Sequence, residues 1–331
     1  MNSPWIEFVV INEIPTKIIC FGSYDFESKP WRFPKLILMF SGNPGEIEYY
    51  NEFLSDLNLK LSIPVIGLSH SGHNRLPSHM KQRLNFSDSK FFGLESQISY
   101  KTIFIREFID SSSRMIIVSH SIGGYISLEL LDRFEDIRNR IDHSILLFPT
   151  IDSMIETKSG RHTDRLFRHF YYSLIFLANF FKIFCSQNFR KSIVQSMLRL
   201  MGHRKTPKCV IEAATNLMDP DCLKATYLMA REELNEVKQP KISIIKSNID
   251  RLSMLYGEND DWVPVEFYQK IKKMLEFDPD QNGNDCSEID LRLCFGQIDH
   301  AFVTKTEWSL EISKIVSNVI QLKWNLTLKD E

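Results

Sequence analysis

The sequence predicts an α/β architecture: a mostly parallel central sheet with helices on both faces, interrupted by a helical insertion. Three observations carry this. Short runs that are apolar throughout recur between stretches of helical spacing, which is how strands covered on both faces read. Between about residues 151 and 240 the strand signal stops, and the spacing is helical throughout. The chain is also long enough, at 331 residues with 43% hydrophobic and 25% charged residues, to bury a large core, and this balance excludes a disordered or rod-like protein.

Taken in order, residues 6–11 and 17–22 are short β-branched or aromatic runs that suit a hairpin at a sheet edge. Residues 36–40 form an apolar strand that stops at Ser41-Gly42-Asn43-Pro44-Gly45, a strong turn signal. Tyr49, Phe53, Leu54 and Leu57 follow at helical intervals, and residues 63–68 read as the next strand. A polar loop then carries His70, His73 and His79. Residues 95–109 are helical, 114–118 (RMIIV) a strand, 123–131 a helix and 144–148 another buried strand. Crossovers of this kind are right-handed by default. The sheet resumes with strands at 252–256 and 291–295, each followed by a loop and a helix, while the polar stretch 278–285 reads as a surface loop. The block 151–240 is thus expected to be a lid between the sixth and seventh core strands. Residues 1–150 and 241–331 form the two parts of the core around it.

Bulk properties narrow the function. Lys plus Arg is 40 and Asp plus Glu is 42, a formal net charge of −2, so the whole-chain charge gives no reason to expect nucleic-acid binding. The six cysteines are scattered and form no CxxC pair, which argues against a disulfide framework or zinc ribbon. His70, His73 and His79 lack a carboxylate or cysteine to complete a metal set, and pocket-wall or supporting bonds are the better reading. No signal peptide is expected from the first residues, and no run of 18 uncharged apolar residues suggests a spanning helix.

The chemistry concentrates at Ser119-His120-Ser121-Ile122-Gly123-Gly124. This segment follows the strand RMIIV and opens a helix, the context of a nucleophile elbow, in which a sharp turn lifts a serine hydroxyl above the sheet. Gly123 supplies the small residue two positions after Ser121. Ser119 stands where the usual pattern has Gly. A mere helix cap is the bland alternative for these serines. After the strand at 252–256 comes Gly257-Glu258-Asn259-Asp260-Asp261, and after that at 291–295 comes Asp299-His300. A carboxylate in the first loop can hold an imidazole in the useful tautomer, and His300 can take the proton of Ser121. Asp260 is favoured as the acid, with Asp261, Asp299 and Asp152 as competitors. Acyl transfer also needs oxyanion donors. The Ile122 N–H is one. Pro44 has no N–H, so the second falls to Asn43 or Gly42, with Asn43 preferred. The turn at 41–45 lacks the spacing of a phosphate loop, so nucleotide hydrolysis is not expected.

SGNPG with Tyr49-Tyr50 behind it, the HSIGG core, YGENDDWVP at 256–264 and DHAF at 299–302 together resemble the lipid droplet-associated hydrolases, serine-hydrolase-like members of the α/β-hydrolase superfamily. The loop 69–73 and FPTI at 148–151 share the likeness, which spans roughly residues 36–302. The resemblance implies an α/β-hydrolase fold and a protein of lipid droplets and the cytosolic face of the endoplasmic reticulum, acting in neutral-lipid or sterol ester turnover. It implies Ser121 as nucleophile, Asp260 as acid and His300 as base. Family members usually have Gly where this chain has Ser119.

The insertion has a character of its own. Residues 161–208 hold ten Lys or Arg and one acid, a segment charge of +9, around the aromatic run 169–184. As a helix that run is about 24 Å long, short of the roughly 30 Å hydrocarbon core. It suits an interfacial helix with basic anchors. Phe176, Leu177, Phe180 and Phe181 are the expected inserting residues, and Arg165, Arg168 and Lys182 the anchors. The bland alternative is a lid helix packed inward over the site.

The reading is therefore a serine carboxylic-ester hydrolase acting on apolar lipid, with no metal or organic cofactor implied and no nucleic-acid partner. Two alternatives keep the fold: a thioesterase or small-ester hydrolase, and a lipid droplet surface protein that acts by binding.

Overall fold

The structure is a computed structural model that describes residues 4–22, 29–80, 88–276, 289–294 and 296–326, without the side chains of Ser78 and Ser89. The loop expected at 278–285, Cys286 and Phe295 lie outside the described residues. In chain order the elements are β1 (Trp5–Ile11), β2 (Ile14–Phe21), β3 (Lys35–Phe40), α1 (Asn51–Leu61), β4 (Val65–Leu68), α2 (Ser89–Phe92), α3 (Leu94–Phe108), β5 (Arg114–His120), α4 (Ile122–Arg133), α5 (Glu135–Arg138) and β6 (Ile141–Leu147). Then come α6 (Lys158–Phe184), α7 (Gln187–Leu200), α8 (Lys208–Asn216), α9 (Pro220–Glu236), α10 (Ile242–Ser247), β7 (Leu252–Gly257), α11 (Val265–Glu276), β8 (Asp290–Cys294) and α12 (Thr306–Trp324).

The eight strands form one sheet in the order β1-β2-β4-β3-β5-β6-β7-β8. β2 pairs antiparallel with both of its neighbours, and every pairing from β4 to β8 is parallel. The edge hairpin closes through Asn12 and Glu13, both at positive φ (46° and 68°), the two-residue turn whose twist matches paired strands. The chain is thus an α/β-hydrolase fold, as the sequence predicts.

Alternation along each strand sorts the core onto the two faces. From β5, Met115 and Ile117 join the cluster that contains Ile98, Phe104 and Ile126 of α3 and α4. Ile116 and Val118 join the opposite cluster, with Phe53 and Leu57 of α1 and Ile312 and Val316 of α12. Both faces are dry, which is why these strands read as unbroken apolar runs rather than alternating ones.

The helical block lies between β6 and β7, and its helical character continues past Pro240 through α10. α6 is the principal departure from expectation. It begins at Lys158, eleven residues before the aromatic run, and its 27 residues make it about 40 Å long. Thr157 sets its start, because its side chain accepts the Gly160 N–H at 3.0 Å. The inward face of α6 packs on α9: Tyr171 stacks on Tyr227 with ring centroids 4.0 Å apart, and Phe167 meets the same ring edge-on at 5.1 Å. Ala178 is buried there as well. The outward face carries Phe170, Phe176, Leu177, Phe180 and Phe184, all exposed. Among the described residues, no helix is long and apolar enough to cross a membrane.

Candidate active site

The C-terminal ends of β3, β5, β7 and β8 converge on one cavity, the crevice where open α/β sheets bind ligands. β5 runs into α4 with Ser121 as the only residue between them. The turn is so tight that Ser121 sits at φ 54°, ψ −124°, a conformation that L-residues hold only when the surroundings enforce it. Ser121 N–H donates to Leu147 O at 3.0 Å and Gly124 N–H to Ser121 O at 2.9 Å, which pins the turn from both sides. Gly123 is required by contact: a Cβ there would meet the backbone oxygens of Phe40 and Ser41 at 2.7 and 2.9 Å. Ser119 by contrast is an ordinary buried strand residue, paired with Phe40 and Leu146. The strain of the elbow therefore falls on Ser121, and the Ser-for-Gly difference at 119 needs only small size.

Ser121 Oγ lies 2.9 Å from His300 Nε2, and His300 Nδ1 lies 2.7 Å from Asp260 Oδ2. An ionised carboxylate only accepts, so the His300 proton sits on Nδ1, and Nε2 is free to accept from the serine. Asp260 is itself held: its Oδ1 accepts the N–H groups of Trp262 and Val263 at 2.7 and 2.9 Å. The competing carboxylates are engaged elsewhere. Asp261 forms a surface ion pair with Lys158 at 3.0 Å. Asp152 accepts from Lys270 at 2.6 Å, and Asp299 accepts the Ala301 N–H at 2.9 Å.

The loop after β3 faces Ser121 closely enough that a Cβ on Gly42 would lie 2.9 Å from the serine Cβ. Of its two candidate donors, the Gly42 N–H is taken by Tyr50 Oη at 2.9 Å. The Asn43 side chain turns the other way and donates from Nδ2 to Thr226 O of α9 at 3.1 Å. The rest of the loop is clamped from behind. Gly45 N–H donates to His73 Nδ1 at 3.0 Å, and Gly45 O accepts from His70 N–H at 2.8 Å and Ser41 Oγ at 3.1 Å. His70 Nδ1 lies 3.1 Å from the buried Lys101 amine, whose pKa burial pulls down to about 7. The two histidines thus support the loop from behind and do not line the cavity.

A second chain of bonds was invisible in the sequence. His120 Nε2 lies 2.9 Å from the backbone oxygen of His300, and a carbonyl only accepts, so Nε2 carries the proton. Its Nδ1 is then an acceptor, and the Tyr50 hydroxyl donates to it at 2.7 Å. Burial holds the His120 pKa well below the usual value, which agrees with a neutral ring. The relay Gly42–Tyr50–His120–His300 ties the loop after β3 to the loop after β8.

The cavity has a volume of about 280 Å³. Its walls bring together Asn43, Ser121 and His300 with Trp262 from the acid loop, Met154, and residues of the helical block, including Thr163 of α6 and Glu233 and Leu234 of α9. Burial pushes the Glu233 carboxyl up to about 8, although the Asn43 side chain against it acts in the opposite direction. Sequence reasoning missed Glu233, and it noted Tyr50 only as part of the family likeness, without its bonds to Gly42 and His120.

The structure places the expected membrane residues unevenly. Phe176, Leu177 and Phe180 are exposed, Phe176 by 74%, while Phe181 is only half-buried toward the protein. Arg165 and Arg168 are exposed, and Arg168 pairs with Asp164 at 2.7 Å. Lys182 departs from the expected role of a free anchor: it reaches inward to the buried Asp219 at 3.1 Å, the residue that caps α9.

Comparison with known proteins agrees with the fold and extends the reading. Among solved structures, a bacterial membrane phospholipase A superposes with a TM-score of 0.62 at 12% identity, covering 98% of this chain and 87% of the other. A laboratory-evolved variant of potato epoxide hydrolase does so with a TM-score of 0.63 at 13% identity, covering 97% and 100%. Such likenesses speak to the fold alone. The lipid droplet-associated hydrolase of Rattus norvegicus is 31% identical over 328 residues, which span 95% of this chain and 94% of that one. Those of Gallus gallus and Drosophila melanogaster are 30% and 28% identical, over 86% and 95% of this chain and 89% and 97% of their own. The family model described as lipid-droplet associated hydrolase matches residues 34–303. The chain belongs to the lipid-droplet associated hydrolase family.

Proposed function

We propose that the protein is a serine hydrolase that cleaves carboxylic esters of neutral lipids at a lipid droplet surface. The observation that carries this reading is the chain Ser121–His300–Asp260, bonded at 2.9 and 2.7 Å on the wall of an apolar-lined cavity. Ser121 Oγ attacks the ester carbonyl carbon as His300 Nε2 takes its proton. Asp260 holds the His300 Nδ1–H and stabilises the imidazolium. The backbone N–H groups of Ile122 and Asn43 receive the oxyanion, Gly42 being committed to Tyr50. Collapse of the tetrahedral intermediate breaks the ester C–O bond, and the alcohol leaves with the proton from His300. Water, deprotonated by His300, then attacks the acyl-serine and releases the acid.

The helical block serves this chemistry twice. The inner side of α6 and α9 closes the cavity, while the outer side of α6 presents Phe170, Phe176, Leu177, Phe180 and Phe184 to the surroundings. An apolar stripe of this kind on a monomer marks an interaction surface. With exposed Arg165 and Arg168 beside it, it suits the boundary of a lipid droplet or the cytosolic face of the endoplasmic reticulum membrane. Lid and interfacial helix, alternatives at the level of sequence, are two faces of one helix. At 280 Å³ the cavity is smaller than a typical ligand pocket. It accommodates the reacting ester and part of one chain, with the remainder of a triacylglycerol or sterol ester lying toward the lipid. Phe176 and its neighbours fit equally a surface protein that only binds, and the two readings part at the serine. Ser121→Ala should abolish hydrolysis of emulsified acyl esters while far-UV circular dichroism stays unchanged. Undiminished turnover in that folded variant would overturn the hydrolase reading.

A further inference from the structure

We propose that the pocket between α7 and α8 is a binding site for a phosphate monoester. The site is separate from the cavity at Ser121, and the inference does not depend on that cavity being catalytic.

The pocket has a volume of about 220 Å³ and lies where α7 ends and α8 begins. Arg199 comes from the last turn of α7, Arg204 from the connection and Lys208 from the start of α8. Gln195, His203 and Thr206 add polar groups to its wall, and among the described residues no carboxylate lines it. Three other cations of the helical block face acids: Arg168 meets Asp164 at 2.7 Å, Lys182 meets Asp219 at 3.1 Å and Lys191 meets Glu212 at 2.8 Å. The last pair matters here, because Glu212 follows the lining residue Ile211 and is already held by Lys191. Among the described residues, Arg199, Arg204 and Lys208 have no acid within ion-pair distance. Asp299 acts on His203 electrostatically, without an ion pair between them. Three like charges around one concavity repel each other and focus a positive potential into it. An anion relieves that repulsion, and one of charge close to −2 does so better than a carboxylate with its single charge. A phosphate monoester carries about −1.5 to −2 at pH 7, and its three free oxygens match the fork of a guanidinium. At this volume the pocket is below the range that encloses a whole drug-sized ligand. It takes a headgroup and leaves the rest of the molecule outside, whether that is a lipid in a membrane or a small soluble ester.

The test titrates the full-length protein by calorimetry at about 0.15 M salt. Glycerol 3-phosphate, a monoester, should bind at one saturable site, and glycerophosphoglycerol, a diester with one charge fewer, about tenfold or more weakly. Arg199→Gln combined with Arg204→Gln should weaken monoester binding about tenfold or more. Lys272→Gln combined with Lys273→Gln removes the same charge from exposed positions of α11 and should leave it within about twofold. Flotation with phosphatidylcholine vesicles that carry phosphatidate or, at matched charge, phosphatidylserine identifies the source of the phosphate. A preference for phosphatidate that the paired Arg variant loses assigns a lipid headgroup, and monoester binding without that preference assigns a soluble phosphate ester; either result supports the site. Wild-type protein that shows neither saturable monoester binding up to about 10 mM nor a preference for phosphatidate overturns the proposal even if no variant folds. Equal binding of monoester and diester does the same, and so does undiminished binding in the folded Arg199→Gln, Arg204→Gln protein.

Discussion

The elbow makes a stability prediction that separates strain from chemistry. Ser121→Ala and Ser121→Gly both remove the hydroxyl and its 2.9 Å contact with His300, so that loss cancels between them. What differs is the Cβ at φ 54°, ψ −124°. Holding a non-glycine residue in a sparsely populated backbone region costs about 1–3 kcal/mol, and glycine gives back about 0.5–1 kcal/mol through its more flexible unfolded chain. The Ser121 Cβ also faces Gly42, not a side chain, so its removal opens little space. Ser121→Gly should therefore be more stable than Ser121→Ala by about 1 kcal/mol. With an unfolding entropy of about 2.1 cal/mol/K per residue, that is a rise in Tm of about 1–2 °C for this chain, measurable by differential scanning calorimetry and by the urea midpoint. Equal stability, or a more stable Ala variant, would mean that Ser121 is not held in strain and that the turn is relaxed.

Four further outcomes follow from named contacts. Asp260→Asn should lower turnover by about 10³–10⁴, because the amide admits the wrong imidazole tautomer, whereas Asp261→Asn, at a surface pair, should stay within about twofold in the same assay. Tyr50→Phe strips the Gly42 N–H and His120 Nδ1 of their partner; kcat should fall about tenfold with KM little changed, and denaturation should show a loss of about 1–3 kcal/mol. Glu233 titrates at about 8 in the folded protein against 4.5 for an unperturbed glutamate, so the unfolded chain releases its proton first. Stability should fall as pH rises from about 4.5 to 8, by on the order of 5 kcal/mol, and level off above; Glu233→Gln should lose that slope, and parallel profiles for the two proteins would contradict the buried acid. Replacing Phe176, Leu177 and Phe180 with Ser should release the folded protein from floated droplets at any salt, and neutralising Arg165 and Arg168 should weaken binding mainly to anionic vesicles, while Lys182→Gln should act on lid stability through Asp219 rather than on lipid affinity.

Much of this molecule is legible in the sequence because its candidate site sits where strands end. The runs at 36–40, 114–118, 144–148 and 252–256 are buried on both faces and so read as strands without help from alternation. Ser121 and Asp260 each stand in the loop that follows one, and His300 in the loop after β8, a strand that is only half-buried. What stayed hidden depends on contacts between distant segments. Tyr50 and His120 are 70 positions apart and meet only once α1 lies under the sheet end. Glu233 and Asn43 meet through the packing of α9 over the loop after β3, and no periodicity encodes that meeting. The early start of α6 was obscured for a related reason: its first turns are polar and amphipathic, with Gly160 and Phe167 facing inward, so the apolar run 169–184 dominates the signal. Lys182 reads as a basic flank because the carboxylate it binds, Asp219, lies 37 residues on.

The central claim is that Ser121 is an activated nucleophile. Incubating the folded, full-length protein with a fluorophosphonate and mapping the adduct by tandem mass spectrometry addresses it most directly. The arrangement of Ser121, His300 and Asp260 predicts one stoichiometric adduct on the Oγ of Ser121, lost in His300→Ala as well as in Ser121→Ala. A folded protein that takes up no label, or that carries it on Ser119 or another serine, would contradict the account.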